Sequence, residues 1–486
     1  MEYSKFLARK LERAAPTGFE VGRDQLNPKF FPFQAAIARW GAGQGNYLGA
    51  LAVGMGKTIL QTSDAKLKQA RYGGKVMFVA PLAVAHQTIV EAKKLSDMEI
   101  TYVQSQADVD HAKGNFFITN QEHIVKGKFD PGSFNILVLD EASKFLKAFR
   151  GKARNTLTYQ WGPIPRKTAW TATPAPNRLI ELLNYAEFLG IKKTGDCLTR
   201  WFINDAKKKG VDALRLKRHS EKEFWEWLAS WCVVMSKPSD LGFSDDGYDL
   251  PPLHIHYEDC QTDMTRAFDQ VTKEGQIRLM PETNLSATNM WADKRATVAD
   301  RAAKVAEVIG REPDKHWFIL TDTDYERDEV NKALEGQCTI VTGSQPQTVK
   351  EERLLGFAGG DVKRLLTKPD IAGFGLNFQY HCNRMVLMGL THKWEIVHQT
   401  MGRFYRFGQD KECHVHIVLA DSEVDILANI NRKQAQYEAL QQKMMPAMKI
   451  TGVLAKGREA YQLQDTPHNR KMKLPQWLFN QELIYA

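Results

Sequence analysis

Two short stretches carry residue types that could do chemistry together. Gly54-Met55-Gly56-Lys57-Thr58 sets two glycines, a cation and a hydroxyl within five positions. Such glycines let backbone N–H groups close around phosphate oxygens. The lysine would reach the β- and γ-phosphates of a triphosphate, and the threonine hydroxyl is a hard ligand for Mg²⁺. Leu51 stands where the strict pattern has its first glycine, so a tight turn before an ordinary helix is the alternative. Asp140-Glu141 closes the apolar run Leu137-Val138-Leu139. Asp140 suits Mg²⁺ through its water shell, and Glu141 suits a base that orients and deprotonates water. A helix cap is the bland reading of the same pair.

The elements around these stretches alternate. Tyr47–Val53 reads as a buried strand ahead of the glycine loop, and Ile59 to Ala70 reads as a helix behind it. Further short apolar runs, Lys75–Ala80, Asn115–Thr119, Phe134–Leu139 and Lys167–Thr171, alternate with helical segments. That rhythm predicts an α/β domain with a parallel sheet covered on both faces, its ligands lying beyond the carboxyl ends of the strands. Residues 190–313 are mostly helical and charged, with an aromatic knot at Phe224-Trp225-Glu226-Trp227 and Trp231, and Leu250-Pro251-Pro252 marks a seam. The rhythm resumes with Trp317–Thr321, Cys338–Val341, Val362–Leu366, Arg384–Leu387 and His414–Leu419. Two tandem parallel-sheet domains with helical material between them are expected.

Composition narrows the class. At 486 residues the chain exceeds one ordinary core, and its net charge of +9 includes clustered basic residues that fit a polyanion partner. Six scattered cysteines without a C-x-x-C pair argue against a zinc module and for a reducing cytoplasm. Met1 to Arg13 has no apolar core of the kind a leader needs, and no run approaches a membrane span. His254-x-His256 lies on alternating, strand-like sequence without further ligands nearby, so no metal is expected there.

Later segments add a family resemblance. Trp170-Thr171-Ala172-Thr173-Pro174-Ala175-Pro176-Asn177-Arg178 follows another strand end. With the loop and the acidic pair before it, the chain resembles superfamily 2 helicases and translocases. Asn177-Arg178-Leu179-Ile180-Glu181-Leu182-Leu183 resembles the Swi/Snf-like branch. Thr342-Gly343-Ser344 and Glu352-Arg353-Leu354-Leu355-Gly356-Phe357 look like the family's middle segments, and Ala372-Gly373-Phe374-Gly375-Leu376-Asn377-Phe378 like its glycine-rich motif V. His398-Gln399-Thr400-Met401-Gly402-Arg403-Phe404-Tyr405-Arg406-Phe407-Gly408-Gln409 closely resembles motif VI. The likeness runs from about Phe30 to Lys433. It departs at Ala52-Val53, where the family usually has an acidic pair, and at Lys368-Pro369-Asp370.

The resemblance implies two tandem RecA-like lobes. Residues 1–189 would form the ATP-binding lobe, 190–250 a helical, basic insertion, 251–449 the C-terminal helicase lobe, and 450–486 a basic tail. ATP with Mg²⁺ would bind in the cleft between the lobes, hydrolysed by Lys57, Asp140, Glu141, Gln399, Arg403 and Arg406. Gln34 would read adenine, Gly54 to Thr58 and Gly375 would cradle the nucleotide, and Thr58 and Asp140 would hold the metal. Nucleic-acid contacts would come from Pro81, Thr119, Asn120, Lys144, Thr171, Thr173, Asn177, Thr321, Asn377 and Trp394. The partner expected is double-stranded DNA, engaged by a monomeric cytoplasmic motor of bacterial or phage type. A strand-separating DNA or RNA helicase and an ATP-timed DNA clamp are the alternatives.

Overall fold

The computed structural model describes residues 13–204, 213–248, 250–260, 294–369, 371, 377–389, 394–419 and 424–450. The chain divides into two compact units, Met1–Tyr248 with Ala435–Ala486, and Asp249–Gln434. Each is built on a parallel sheet, in keeping with tandem RecA-like lobes.

The first unit opens with helix α1 (Pro32–Gln44), strand β1 (Tyr47–Leu51) and helix α2 (Lys57–Tyr72). It continues through β2 (Val76–Ala80), α3 (Leu82–Ser96), β3 (Thr101–Tyr102), β4 (Phe116–Asn120), β5 (Ile136–Leu139) and β6 (Arg166–Thr171). After α4 (Glu221–Ala229), β7 (Cys232–Met235) completes a seven-stranded sheet in the order β3-β4-β2-β5-β6-β1-β7. Every pairing in it is parallel. The strands read as unbroken apolar runs because both faces are covered. Gly49 in the middle of β1 is a packing requirement: a Cβ there would lie 2.3 Å from Cε3 of Trp170 on β6, so the indole can lie flat on the strand only over glycine.

Cys232-Val233-Val234-Met235 falls in a stretch whose sequence reads as mostly helical, yet it forms β7 and pairs with β1. Four residues carry too little periodicity to separate a short strand from helix core; a partner strand decides it. The aromatic knot beside it is interior. Trp201, Phe224, Trp227 and Trp231 are all buried, with the Trp201 and Trp227 rings 4.4 Å apart.

The second unit contributes β8 (Leu253–Asp259), α5 (Val298–Arg311), β9 (Trp317–Thr321), α6 (Asp324–Ala333), β10 (Thr339–Val341), α7 (Gln347–Gly359), β11 (Arg364–Thr367), β12 (Arg384–Met388), α8 (Trp394–Met401) and β13 (Cys413–Leu419). Six parallel strands run in the order β8-β13-β12-β9-β11-β10. Their core joins Val305 and Ile309 of α5 to Trp317, Ile319, Val386 and Val418 of the sheet. Inside it a fully buried ion pair, Arg301 with Glu326 at 2.9 Å, ties α5 to α6. Glu326 also accepts the backbone N–H groups of Asp322 and Thr323, which satisfies its remaining lone pairs.

Helix α9 (Val424–Ile450) carries the chain from residues of the second unit into residues of the first. Within the first unit, its Gln441 donates to Ser236 and its Lys443 pairs with Glu221. Among the described residues no helix is long and apolar enough to cross a membrane.

Candidate active site

The glycine loop leaves β1 and enters α2 as expected for a phosphate-binding turn. Gly54 has φ +89° and Gly56 φ +78°, a backbone region that side chains strain to occupy. Lys57 Nζ folds back onto the end of β1, donating to Leu51 O at 3.1 Å and Ala52 O at 3.5 Å. Those two carbonyls hold an ammonium at the loop that can exchange them for phosphate oxygens. Gln34 is buried on α1 and braces the same loop: its Nε2 donates to Met55 O at 3.3 Å, while its Oε1 accepts Phe31 N–H at 3.0 Å. A Cβ on Gly56 would approach Gln34 Nε2 to 2.2 Å, so the second glycine is needed for this contact as well as for its φ.

Asp140 and Glu141 follow β5, on the carboxyl edge where β1 also ends. Asp140 is buried; its Oδ2 accepts Gln61 Nε2 at 2.9 Å and Thr88 Oγ1 at 3.4 Å, and its Oδ1 accepts Glu141 N–H at 2.9 Å. Burial, then the neighbouring charge of Glu141, pushes the Asp140 carboxyl up to about 6, while the Gln61 bond and Lys57 pull the other way. Glu141 itself has φ +49°, a left-handed conformation that costs a non-glycine residue energy and is held here by its surroundings.

Gln61 was not anticipated, although a signal existed. It lies four residues after Lys57 and therefore on the same helix face. Among the described residues, its Oε1 is buried without a hydrogen-bond partner.

A carboxyl raised by folding contributes stability that is complete below its ordinary value of 3.8 and is lost as pH climbs through about 6. Removing the charge reverses that loss. In nucleotide-free, Mg²⁺-free protein, Asp140→Asn is expected to be more stable than wild type near neutral pH, by up to about 3 kcal/mol. Gln61 can turn its amide so that Oε1 accepts from the new Asn. Urea unfolding at a series of pH values checks this: the two proteins should converge at roughly pH 4 and below.

Hydroxyls connect the acidic pair to the segment after β6. Thr171 Oγ1 donates to Ser143 Oγ at 3.1 Å, Ser143 Oγ lies 3.4 Å from Thr173 Oγ1, and Thr171 Oγ1 accepts Thr173 N–H at 3.1 Å. Thr171 and Thr173 are buried, so both hydroxyls bond inside the unit. Asn177 donates through its side chain to Glu181 at 3.0 Å. Pro81 opens α3 at the end of β2. At the end of β4, Thr119 Oγ1 lies 3.2 Å from His123 Nδ1, and Asn120 caps the next turn while donating to Tyr102 OH at 3.2 Å. Lys144 is exposed beside the acidic pair. Arg154, one of the basic residues that follow, turns inward to Glu187 and Tyr159. Lys217 caps carbonyls of Thr199 and Arg200 at 2.8 and 2.9 Å. Lys207, Lys208 and Lys209 lie outside the described residues.

In the second unit Gln399 is on α8, and Arg403 and Arg406 follow in a half-buried turn. That turn is fixed by backbone: Phe378 N–H donates to Arg403 O at 2.9 Å, and Gln409 Nε2 donates to Cys382 O and Phe404 O, both at 3.0 Å. Among the described residues, Thr321 Oγ1 and Asn377 Oδ1 are buried without hydrogen-bond partners. Gly375 lies outside the described residues, as does the side chain of Trp394.

The loop and its neighbours fit a nucleotide with Mg²⁺. A cradle that only glycine permits, an ammonium at its mouth and the oxygen donors Thr58 and Asp140 are what phosphate and a hard cation require.

Residues 301–408 match the family model described as the helicase conserved C-terminal domain. The matched span contains Thr321, Asn377, Trp394, Gln399, Arg403 and Arg406. No curated protein matches the chain. The match lies within the second of the two parallel-sheet units and supports a superfamily 2 helicase-type protein.

Proposed function

We propose that the protein is an ATP-dependent translocase on double-stranded DNA, related to the Swi/Snf-like branch of its superfamily. One observation carries the reading. A glycine loop bearing Lys57 and a buried, pKa-shifted Asp140 beside Glu141 share the carboxyl edge of one parallel sheet, in a chain whose residues 301–408 match the helicase conserved C-terminal domain.

In this reading Lys57 moves from Leu51 O and Ala52 O onto the β- and γ-phosphates, and Thr58 and Asp140 hold the metal. Mg²⁺, when bound, neutralises charge on the phosphate oxygens. Glu141 accepts the proton of the attacking water. Arg403 and Arg406 would offset charge on the transferring γ-phosphoryl. The Ser143–Thr171–Thr173 hydroxyls connect the acidic pair to the segment resembling the family's coupling motif. The segment Asn177 to Leu183 and the net charge of +9 support duplex DNA as the track.

ATPase rates against double-stranded DNA, single-stranded DNA and RNA of graded length test the reading. Stimulation by duplex that grows with length, together with displacement of a triplex strand without duplex unwinding, is expected. Stimulation by single strands or RNA alone would replace the reading with a strand-separating helicase. Binding to duplex without any stimulated turnover would replace it with an ATP-timed clamp.

A further inference from the structure

The register of the second sheet supplies the ligands that His254 and His256 lack in the sequence. Strand β8 is the sheet edge and runs parallel to β13, with His254 opposite His414 and His256 opposite His416. Alternation puts His254, His256 and Glu258 on one face with His414 and His416, and Glu412 precedes His414 by one alternation. His254 Nε2 lies 3.3 Å from Glu412 Oε2. One ligand atom from each of His254, Glu412 and His414 falls within 4.8 Å of the others.

We propose that His254, Glu412 and His414 form a site for a divalent transition-metal ion of the Zn²⁺ class, which fastens the edge strand β8 to β13. Two imidazoles and one carboxylate are the donor set of borderline ions, whereas Mg²⁺ and Ca²⁺ want oxygen alone. Tetrahedral coordination with bonds of about 2.1 Å needs ligand atoms about 3.4 Å apart. The His254 and Glu412 side chains, 42% and 62% exposed, have room to close that difference onto the more buried His414.

An outer shell orients His414 as metal-ligating histidines ordinarily require. His256 Nε2 lies 3.0 Å from His414 Nδ1, and the His256 ring stacks on His416 at 4.5 Å. His416 Nδ1 in turn lies 2.8 Å from Glu258 Oε1, which Arg311 grips at 2.8 and 3.0 Å through both carboxylate oxygens. Arg384 on β12 lies opposite His414 in the sheet register. Arg384 itself is matched by Glu312, bound at 2.6 and 2.9 Å. It therefore leaves the single negative charge of Glu412 to attract a dication. The bond would close a chain segment spanning 158 residues, a long loop for one ion to fix.

The test uses full-length protein stripped with chelator and free of nucleotide. Zn²⁺ titration by calorimetry and the visible spectrum of a Co²⁺ complex are the readouts, with His254→Ala, Glu412→Gln and His256→Ala as variants. Wild type is expected to take up one Zn²⁺ per chain at micromolar or tighter affinity and to melt higher with Zn²⁺ than without. His254→Ala and Glu412→Gln should lose at least about a hundredfold in affinity, and His256→Ala, which touches only the outer shell, about 10- to 100-fold. Because the first two side chains are substantially exposed, their metal-free melting temperatures should match wild type, which separates lost ligation from misfolding. No uptake by wild type at Zn²⁺ on the order of 100 μM, or uptake unchanged in both ligand variants, overturns the proposal.

Discussion

Arg406→Ala is expected to lower DNA-stimulated ATP turnover by about 10³- to 10⁵-fold while leaving ATP affinity near that of wild type. On the proposed function the nucleotide is bound by the loop of the first unit, where Lys57 and the Gly54–Thr58 backbone supply the attraction. Arg406 acts only as charge builds on the γ-phosphoryl, so its loss falls on kcat rather than on binding. The turn that bears it is braced by bonds to main-chain groups. Gln409 bridges Cys382 O and Phe404 O, and Phe378 N–H holds Arg403 O, so the alanine variant should keep its backbone and its melting temperature. Steady-state ATPase with saturating duplex DNA and binding of a fluorescent ATP analogue separate the two effects. A loss of less than tenfold, or a loss confined to ATP affinity, would show that Arg406 does not serve the transition state. Arg406→Lys should recover only part of the rate, since an ammonium lacks the planar fork that engages two phosphoryl oxygens.

What the sequence made readable was mostly local. The strand, glycine loop and helix from Tyr47 to Tyr72 are contiguous, so period and glycine spacing were enough to place Lys57 and Thr58. The apolar run ending in Asp140 was equally plain, because a strand buried on both faces shows as unbroken hydrophobic sequence. Features that depend on distant partners were not readable. Gln61 becomes meaningful only when β5 brings Asp140 to within 2.9 Å of it. Arg154 reads as part of a basic run, yet Glu187 draws it inward. The four residues of β7 form a strand because β1 lies beside them. His254 looked ligandless because Glu412 and His414 reach it only through strand pairing in the second sheet. No local pattern reports the φ of Glu141 either; its left-handed backbone is imposed where the strand end, the hydrogen bond from its own N–H to Asp140 and the bond from Ala142 N–H to Trp170 O meet.

That imposed geometry makes Glu141→Gln the second informative substitution, with an expected fall of about 10²- to 10⁴-fold in kcat. Glutamine keeps the length of the side chain and leaves the backbone bonds in place: Glu141 N–H to Asp140 Oδ1 at 2.9 Å and Lys144 N–H to Glu141 O at 2.9 Å. What it removes is the capacity to accept a proton from water. It also removes the negative charge that helps to raise Asp140, so Asp140 ionises at lower pH and metal binding is not weakened. ATP affinity with Mg²⁺ should therefore hold or improve while hydrolysis stalls. Binding of duplex DNA in the presence of ATP should then outlast that of wild type, since the cycle stops before product release. Single-turnover hydrolysis and DNA dissociation, measured on the same preparation, check both halves. If turnover falls but ATP affinity falls with it, Glu141 is holding the site together through its strained backbone, and the base that activates water must be sought among the other groups at this sheet edge.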